Sequence, residues 1–259
     1  MSEVVVAGLR VNYEIVGEGP AILLLHGWGG CIGSMGPIQS SLAREYRVLT
    51  LDLPGFGLSQ MPPEQWGSAE YARCVWQLLA ELDVTEVLCV VGHSFGGKVA
   101  IHLALQQRGL VGALILVGTP GVRLPPSKRT RRRIATVKLV RRIAKALPQR
   151  PRHLVEKLLS RLGSEDYRNA GPMRDILVRV VNEDLRTDLS ALDIPTLLIW
   201  GQFDDATPVE IGRVMEASIA GSGLVVLEQS GHFPYLDEPQ AFSAVVGSFL
   251  RSMHSAEQQ

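Results

Sequence analysis

The chain has 259 residues, of which 46% are hydrophobic and 20% are charged, and its 26 basic and 26 acidic residues balance to a formal net charge of zero. A chain of this length can bury one large core and still carry an inserted segment. The N-terminus lacks the basic and apolar regions of a signal peptide, and no uncharged apolar run approaches the roughly 18 residues of a membrane span. These features predict a globular, cytoplasmic protein.

Three cysteines are scattered along the chain at Cys31, Cys74 and Cys89, without CxxC spacing. An odd, scattered set indicates neither a disulfide framework nor a zinc site. We therefore predict three buried thiols and expect no metal.

Apolar runs alternate with segments of helical periodicity along most of the chain. The predicted strands comprise residues 4–7, 11–16, 21–25, 48–52, 87–91, 113–117, 196–200 and 224–227. The predicted helices include residues 70–82, the segment that begins after Gly97, and residues 239–250, with a frayed tail from His254. Strands that alternate with helices favour a mostly parallel sheet with helices on both faces.

Residues 120–194 differ from the rest because they contain helical patterns but no strand-like run. One of these patterns places Ile176, Leu177, Val180 and Val181 on a buried stripe. We predict a helical cap, or lid, inserted after the sixth strand into a core domain made of residues 1–119 and 195–259.

The predicted cap is strongly basic. Residues 121–162 hold fourteen Lys or Arg against one acid, Glu156, so this segment carries +13 and the rest of the chain −13. Such a face is compatible with simple solvation, with contact to an anionic membrane or lipid surface, or with steering of an acidic substrate. Because the segment lacks interleaved aromatic residues and a recognisable module, we do not expect nucleic-acid binding. The sequence leaves the oligomeric state open.

The run Gly92-His93-Ser94-Phe95-Gly96 stands between a predicted strand and a predicted helix. A serine on such a sharp turn has its hydroxyl lifted clear of the sheet. Side chains in place of Gly92 or Gly96 would collide with the neighbouring strand and helix. This order of elements predicts a nucleophile elbow.

Polar loops follow other predicted strands, at the same edge of the sheet. His26–Gly30 is rich in glycine, and its amides could stabilise an oxyanion. Asp52 is better interpreted as an organiser of its own loop than as a catalytic acid. Asp204 and His232 lie on later loops, so the chain order is Ser, Asp, His.

Five motifs in this order resemble those of the α/β-hydrolase superfamily over essentially the whole chain. They read HG-x-G, D-x-P-G-x-G-x-S, G-H-S-x-G-G, W-G-x-x-D-x-x-x-P and G-H-x-P. The resemblance implies an α/β-hydrolase fold, with a mostly parallel eight-stranded sheet, helices on both faces and a cap. It also implies hydrolytic chemistry without a cofactor.

The resemblance assigns a role to each matching position. Ser94 would be the nucleophile, His232 the general base and later general acid, and Asp204 the acid that orients the imidazole. Asp204, rather than the adjacent Asp205, fits the spacing of its motif on both sides. The backbone amides of Trp28 and Phe95 would form the oxyanion hole. The side chains of Trp28, Phe95 and Phe233 are candidates for the walls of a substrate pocket.

Within this superfamily, we expect a carboxylic ester hydrolase of small or medium acyl chains. A serine at the elbow argues against epoxide hydrolase and haloalkane dehalogenase chemistry, which uses an aspartate there. Two other activities remain open, a thioesterase and a carbon–carbon bond hydrolase of the meta-cleavage type, for which Arg174 or Arg179 could hold a substrate carboxylate. A ligand-binding protein without activity is the alternative of a different class, and the intact Ser, Asp and His set argues against it.

Overall fold

The computed structural model describes residues 1–125 and 165–256, together with positions 136, 140 and 142. Within these residues, eight strands form one sheet in the order β1-β2-β4-β3-β5-β6-β7-β8. The strands are β1 (Ser2–Val6), β2 (Leu9–Val16), β3 (Ala21–Leu25), β4 (Arg47–Leu51), β5 (Cys89–His93), β6 (Leu114–Val117), β7 (Thr196–Gly201) and β8 (Gly223–Leu227).

The sheet is antiparallel at one edge and parallel elsewhere. Strand β1 pairs with β2 through a two-residue turn at Ala7 and Gly8, whose φ angles are 49° and 80°. Strand β2 is also antiparallel to β4, whereas β3 to β8 are mutually parallel. The loops that follow these six parallel strands therefore meet at one edge of the sheet, as the sequence predicts.

Helices cover both faces of the sheet. In the described part of the chain they are α1 (Gly36–Leu42), α2 (Ser68–Glu81), α3 (Phe95–Gln106), α7 (Val209–Ser218), α8 (Pro234–Asp237) and α9 (Pro239–Ala256), and the insertion between β6 and β7 adds α4 (Glu165–Asn169), α5 (Arg174–Asn182) and α6 (Arg186–Leu189). Alternate side chains of β3 enter opposite layers: Leu23 lies in the core beneath α2 and α3, and Leu24 in the core beneath α1 and α9. This alternation explains why the buried strands are apolar throughout.

The last helix is longer than predicted. Helix α9 continues to Ala256, past the predicted end at residue 250 and through His254, which was expected to be frayed. The physical reason is packing, because Met253, beyond the predicted end, is partly buried against the core and continues the apolar stripe that includes Phe249.

One cysteine also differs from the prediction. Cys74 and Cys89 are buried, and burial raises the pKa of both thiols. Cys31 is partly exposed, because it lies in the loop after β3 rather than in a core element.

The insertion between β6 and β7 is helical in its described part. Residues 165–194 contain α4 to α6 and no strand. In α5, Ile176, Leu177 and Val180 are buried as predicted, but Val181 is 63% exposed because it lies outside the helix face that contacts the core. The helical patterns predicted within residues 134–162, and nearly all of the basic segment, lie outside the described residues. Contact with an anionic membrane therefore stays a prediction.

No helix in residues 1–125 and 165–256 is long and apolar enough to cross a membrane. The same residues contain no cluster of three side chains suited to hold a metal ion.

A buried lysine joins the elbow helix α3 to the insertion. Lys98 Nζ donates to the Val180 carbonyl at 2.7 Å and lies 3.9 Å from a carboxylate oxygen of Glu183. The Glu183 carboxylate in turn accepts bonds from the amide and hydroxyl of Ser68, at 2.9 and 2.6 Å. The Lys98 side chain is only 2% exposed. The end of α5 is thus tied to the start of α2 and to α3.

Lys98 should make folding stability depend on alkaline pH. Burial lowers its pKa from 10.5 to about 8, and the nearby Glu183 offsets only part of that effect. Between these pH values the unfolded chain holds a proton that the folded chain has released, so the stability contribution of this group rises with pH. We expect the free energy of unfolding of the wild type, minus that of Lys98→Met, to rise from pH 8 to 10.5 in urea titrations.

The difference between the two proteins is the quantity to measure. Burial raises the pKa of Tyr71 and Cys74, so these groups lower stability at alkaline pH, but they do so in both proteins and cancel. A flat difference across this pH range would mean that Lys98 is not desolvated.

Candidate active site

Ser94 stands alone between a strand and a helix. Strand β5 ends at His93 and α3 begins at Phe95, so Ser94 makes the turn by itself, with φ 50° and ψ −115°. A positive φ at a residue other than glycine costs about 1–3 kcal/mol. The amide of Ser94 donates to the Val117 carbonyl at 2.8 Å, which fixes the turn against β6. The predicted order of strand, turn and helix is confirmed, although α3 begins at Phe95 rather than after Gly97.

The glycines around Ser94 allow α3 to approach the sheet closely. A Cβ at Gly92 would lie 2.5 Å from Gly97 Cα, and a Cβ at Gly96 would lie 2.2 Å from the Leu25 carbonyl oxygen. Both contacts are far below van der Waals distance and involve backbone atoms. The predicted collisions are therefore confirmed.

The loop after β3 is held by His26. Its Nδ1 donates to the Gly27 carbonyl at 2.7 Å, and its Nε2 accepts the Leu53 amide at 3.0 Å. Burial lowers the pKa of His26, so the ring stays neutral in this tautomer. The Gly30 amide closes a turn onto Gly27 at 3.0 Å, with Gly29 at φ 73°. This turn presents Trp28 next to the elbow.

Trp28 and Phe95 are brought together by the two loops. Their rings contact at 5.6 Å between centroids, and the Trp28 ring also packs on Phe56 at 4.9 Å. Phe95 is the first residue of α3, where a helical amide has no partner within its own helix. Among the described residues, neither the Trp28 amide nor the Phe95 amide donates to another group. Both amides therefore lack a hydrogen-bond acceptor within the described part of the chain, which is what the predicted oxyanion hole requires.

Asp52 organises the neighbouring loop, as predicted. Its carboxylate accepts the Ile32 amide at 2.7 Å, the Leu58 amide at 2.9 Å and the Asn12 side-chain amide at 2.8 Å. A Cβ at Gly57 would lie 2.2 Å from the carboxyl carbon, so only glycine fits there. These three hydrogen bonds give the buried carboxylate a structural role.

Asp204 and His232 form a hydrogen-bonded pair. His232 Nδ1 lies 2.8 Å from Asp204 Oδ2. The other carboxylate oxygen, Oδ1, accepts the amides of Ala206 at 2.9 Å and Thr207 at 2.7 Å. Asp204 is buried, whereas the adjacent Asp205 is exposed. The structure thus brings together the two residues that lie 28 positions apart in the sequence.

The environment of Asp204 favours its ionised form. Burial by itself raises the pKa of this carboxyl, but the hydrogen bonds from His232 and Thr207 outweigh that effect and hold the pKa below its usual value. An ionised carboxylate only accepts hydrogen bonds. His232 therefore carries its proton on Nδ1 and leaves Nε2 as the basic nitrogen.

Two residues at this pair were missed by sequence reasoning. The Thr207 hydroxyl lies 2.7 Å from Asp204 Oδ2 and 3.0 Å from the Gly118 carbonyl. A Cβ at Gly118 would lie 3.2 Å from both Asp204 Oδ2 and His232 Nδ1. The only sequence signal for Thr207 was its place in the loop motif, directly before Pro208. Nothing in the sequence around Gly118, which follows the end of β6, indicated a role for that residue.

Phe233 is not in the same cluster as the other two pocket candidates. Its ring contacts those of His93 and His232, at 5.0 and 5.3 Å between centroids, and its side chain is 45% exposed. The pair formed by Trp28 and Phe95 belongs instead to the core cluster of the α3 face. The three candidates therefore flank the elbow from two sides.

A family model described as alpha/beta hydrolase fold matches residues 20–239. The chain belongs to this family of hydrolases.

Individual proteins show the same likeness over nearly the whole chain. An uncharacterized protein of Mycobacterium tuberculosis is 32% identical, over 97% of this chain and 81% of its own length. A pimeloyl-[acyl-carrier protein] methyl ester esterase of Aliivibrio salmonicida is 29% identical, over 92% of this chain and 95% of its own. The crystal structure of a hydrolase from Pseudomonas aeruginosa PA01 superposes with a TM-score of 0.74 at 30% identity, covering 96% of this chain and 97% of that one.

Proposed function

We propose that this hydrolase cleaves carboxylic esters of small or medium acyl chains through an acyl-enzyme formed on Ser94. The observation that carries the proposal is the 2.8 Å contact between His232 Nδ1 and Asp204 Oδ2, at the sheet edge where the Ser94 elbow stands. The likeness to a methyl ester esterase supports the choice of an ester substrate.

Acylation begins when His232 Nε2 takes the proton of the Ser94 hydroxyl and the serine oxygen bonds to the ester carbonyl carbon. The negative charge that develops on the carbonyl oxygen is stabilised by the Trp28 and Phe95 amides. The protonated His232 then donates its proton to the leaving alcohol as the carbon–oxygen bond breaks. Asp204 holds the ring in orientation and stabilises its charged form.

Deacylation repeats these steps with water as the nucleophile. His232 removes a proton from water, the resulting oxygen bonds to the acyl carbon, and the same two amides stabilise the second oxyanion. The proton then returns to Ser94 as the acid leaves. Apart from the substrate and this water, the proposed cycle uses only residues of this chain.

An apolar acyl pocket is consistent with the residues around the elbow. Trp28, Phe56 and Phe95 contact one another, and Met173 from the insertion packs so closely on Gly55 that a Cβ there would lie 2.4 Å from its methyl carbon. Such aromatic side chains supply apolar contact area for an acyl group, and the preference for a small or medium chain is part of the proposal that the ester series tests. We include Phe233 among the proposed pocket residues because its ring contacts that of His232.

The two arginines that could hold a substrate carboxylate in a carbon–carbon hydrolase already have contacts within the protein. Arg179 Nη2 is bonded to Glu70 at 2.7 Å, and Arg179 Nη1 donates to the Gln65 carbonyl. The guanidinium of Arg174 lies 5.0 Å over the ring of Tyr167. A substrate carboxylate would have to compete with Glu70 and Gln65 for Arg179, whereas the ring contact of Arg174 uses only the face of its guanidinium.

The deciding experiment is a chain-length series of chromogenic esters, with a chromogenic thioester and a meta-cleavage dienoate alongside. We expect wild type to cleave short and medium esters and Ser94→Ala to lose at least about 10³-fold of that activity, because no nucleophile remains. The matched control is Ser190→Ala, at an exposed serine next to α6, which should keep wild-type rates.

Each other outcome points to a different class. Faster cleavage of the dienoate than of every ester would replace the proposal by a carbon–carbon hydrolase, and preference for the thioester would make the protein a thioesterase. Tight binding without turnover of any substrate would favour a ligand-binding protein. Equal activity of Ser94→Ala and wild type would rule out the acyl-enzyme.

A further inference from the structure

His93 is a buried histidine for which the proposed reaction has no use. It is the last residue of β5 and only 3% exposed. Its Nε2 lies 2.9 Å from the main-chain carbonyl oxygen of His232. Because a carbonyl only accepts hydrogen bonds, His93 Nε2 must carry the hydrogen. The sequence positions of the two residues are 139 apart, so this bond joins two separate loops of the site.

The surroundings keep His93 neutral and in place. Burial lowers its pKa to about 3, and the neighbouring His232 acts in the same direction, while the Asp204 carboxylate offsets only part of the effect. The centroid of its ring lies 4.9 Å from that of His232 and 5.3 Å from that of Tyr235. A Cβ at Gly27 would lie 2.8 Å from His93 Nδ1, so the loop after β3 also lies close to the ring.

We propose that His93 is a positioning residue that fixes the separation of the nucleophile from its base. It is covalently next to Ser94, and its side chain holds the main chain of His232 through one hydrogen bond. A change in either loop is thereby transmitted to the other. The inference rests on the proposed function, since it assigns these two roles to Ser94 and His232.

A neutral donor suits this place better than a charged one. The His93 and His232 rings are 4.9 Å apart between centroids, so a positive charge on His93 would oppose protonation of His232 during the reaction. A lysine or arginine could donate to the same carbonyl but would bring that charge. A glutamine could donate without it.

The test compares three variants by turnover per active site. His93→Leu removes the donor, His93→Gln restores an N–H group of similar reach, and His102→Gln is the control at a partly buried histidine of α3. Active sites are counted by labelling with a fluorophosphonate, so a loss of folded protein does not lower the measured kcat. If His93→Leu gives no folded protein, His93→Phe takes its place.

We expect His93→Leu to lower kcat about 10- to 100-fold with little change in KM, because a small misplacement of the base costs that much. His93→Gln should recover most of the loss, keep the acid limb of the pH profile at the wild-type position, and match His102→Gln. Fluorophosphonate labelling of Ser94 should slow in parallel with kcat.

Three results would overturn the inference. They are an unchanged kcat per active site in His93→Leu, no recovery in His93→Gln, or loss of the acid limb in His93→Gln, which would make His93 itself the titrating group. Failure of the proposed function can be distinguished from these results, because it is detected in the wild-type protein. If wild-type Ser94 is not labelled at all, both proposals fall, whereas equal labelling of wild type and His93→Leu removes only the positioning role.

Discussion

Asp204→Asn is expected to lower kcat by about 10⁴-fold while leaving the fold intact. The carboxylate now accepts the Nδ1 proton of His232 at 2.8 Å. Thr207 and Ala206 also donate their amides to the other carboxylate oxygen, which would hold an asparagine with its oxygen on that side. The amide nitrogen would then face His232 as a donor, shift the ring proton to Nε2 and block the base.

Asp205→Asn is the matched control, since it makes the same change one residue away on an exposed side chain. We expect its kcat and KM to equal those of wild type in the fastest ester of the series. Thermal unfolding of both variants checks that the fold is kept. A large loss of kcat in Asp205→Asn, with wild-type kcat in Asp204→Asn, would show that Asp205 is the acid and that the assignment to Asp204 is wrong.

Gly96→Ala is expected to destabilise the protein by about 4 kcal/mol or more, a loss that is exceptional for one methyl group. The added carbon would lie 2.2 Å from the Leu25 carbonyl oxygen and 2.7 Å from that of His26. Both are backbone atoms of the central strand and its loop, so neither can swing aside. Relief requires α3 to move away from β3, which would open the core and displace Ser94. Urea unfolding measures the loss.

Gly36→Ala offers the same chemical change without the collision. Its Cβ would have no atom within 4 Å, and Gly36 is the first residue of α1. We expect stability equal to wild type or higher by up to about 1 kcal/mol, because alanine loses less backbone entropy than glycine. If Gly96→Ala were as stable as Gly36→Ala, the close approach of α3 to β3 would not be a constraint on the fold.

Most strands could be predicted because burial on both faces leaves a local mark. The run Ala21–Leu25 is apolar throughout and has the same bounds in the structure. Ends were less accurate where a local pattern and tertiary packing disagree: β5 begins at Cys89 rather than at Val87, which makes only an isolated bridge with Val111. The extra turns of α9 likewise depend on a core that lies far away in the sequence.

Contacts between distant residues were beyond sequence reasoning. Arg179 was an open candidate for a substrate carboxylate, yet its partners Glu70 and Gln65 lie more than a hundred positions away. Thr207 and Gly118 meet beside Asp204 only because β6 and β7 lie side by side in the sheet. Periodicity and composition carry no information on such pairs.

The sequence by itself determined the alternation of strands and helices, the glycine-bounded serine turn and the order Ser94, Asp204, His232. The first two features are local, because apolar periodicity and glycine steric freedom act over a few residues. The third was recognised from the order of motifs along the chain. The tertiary structure places Asp204 against His232, as the resemblance implied, and it alone reveals the Lys98 bond to the insertion and the His93 bond to the His232 main chain. Each depends on the parallel sheet bringing several strand ends to one edge, and that arrangement exists only in the folded chain.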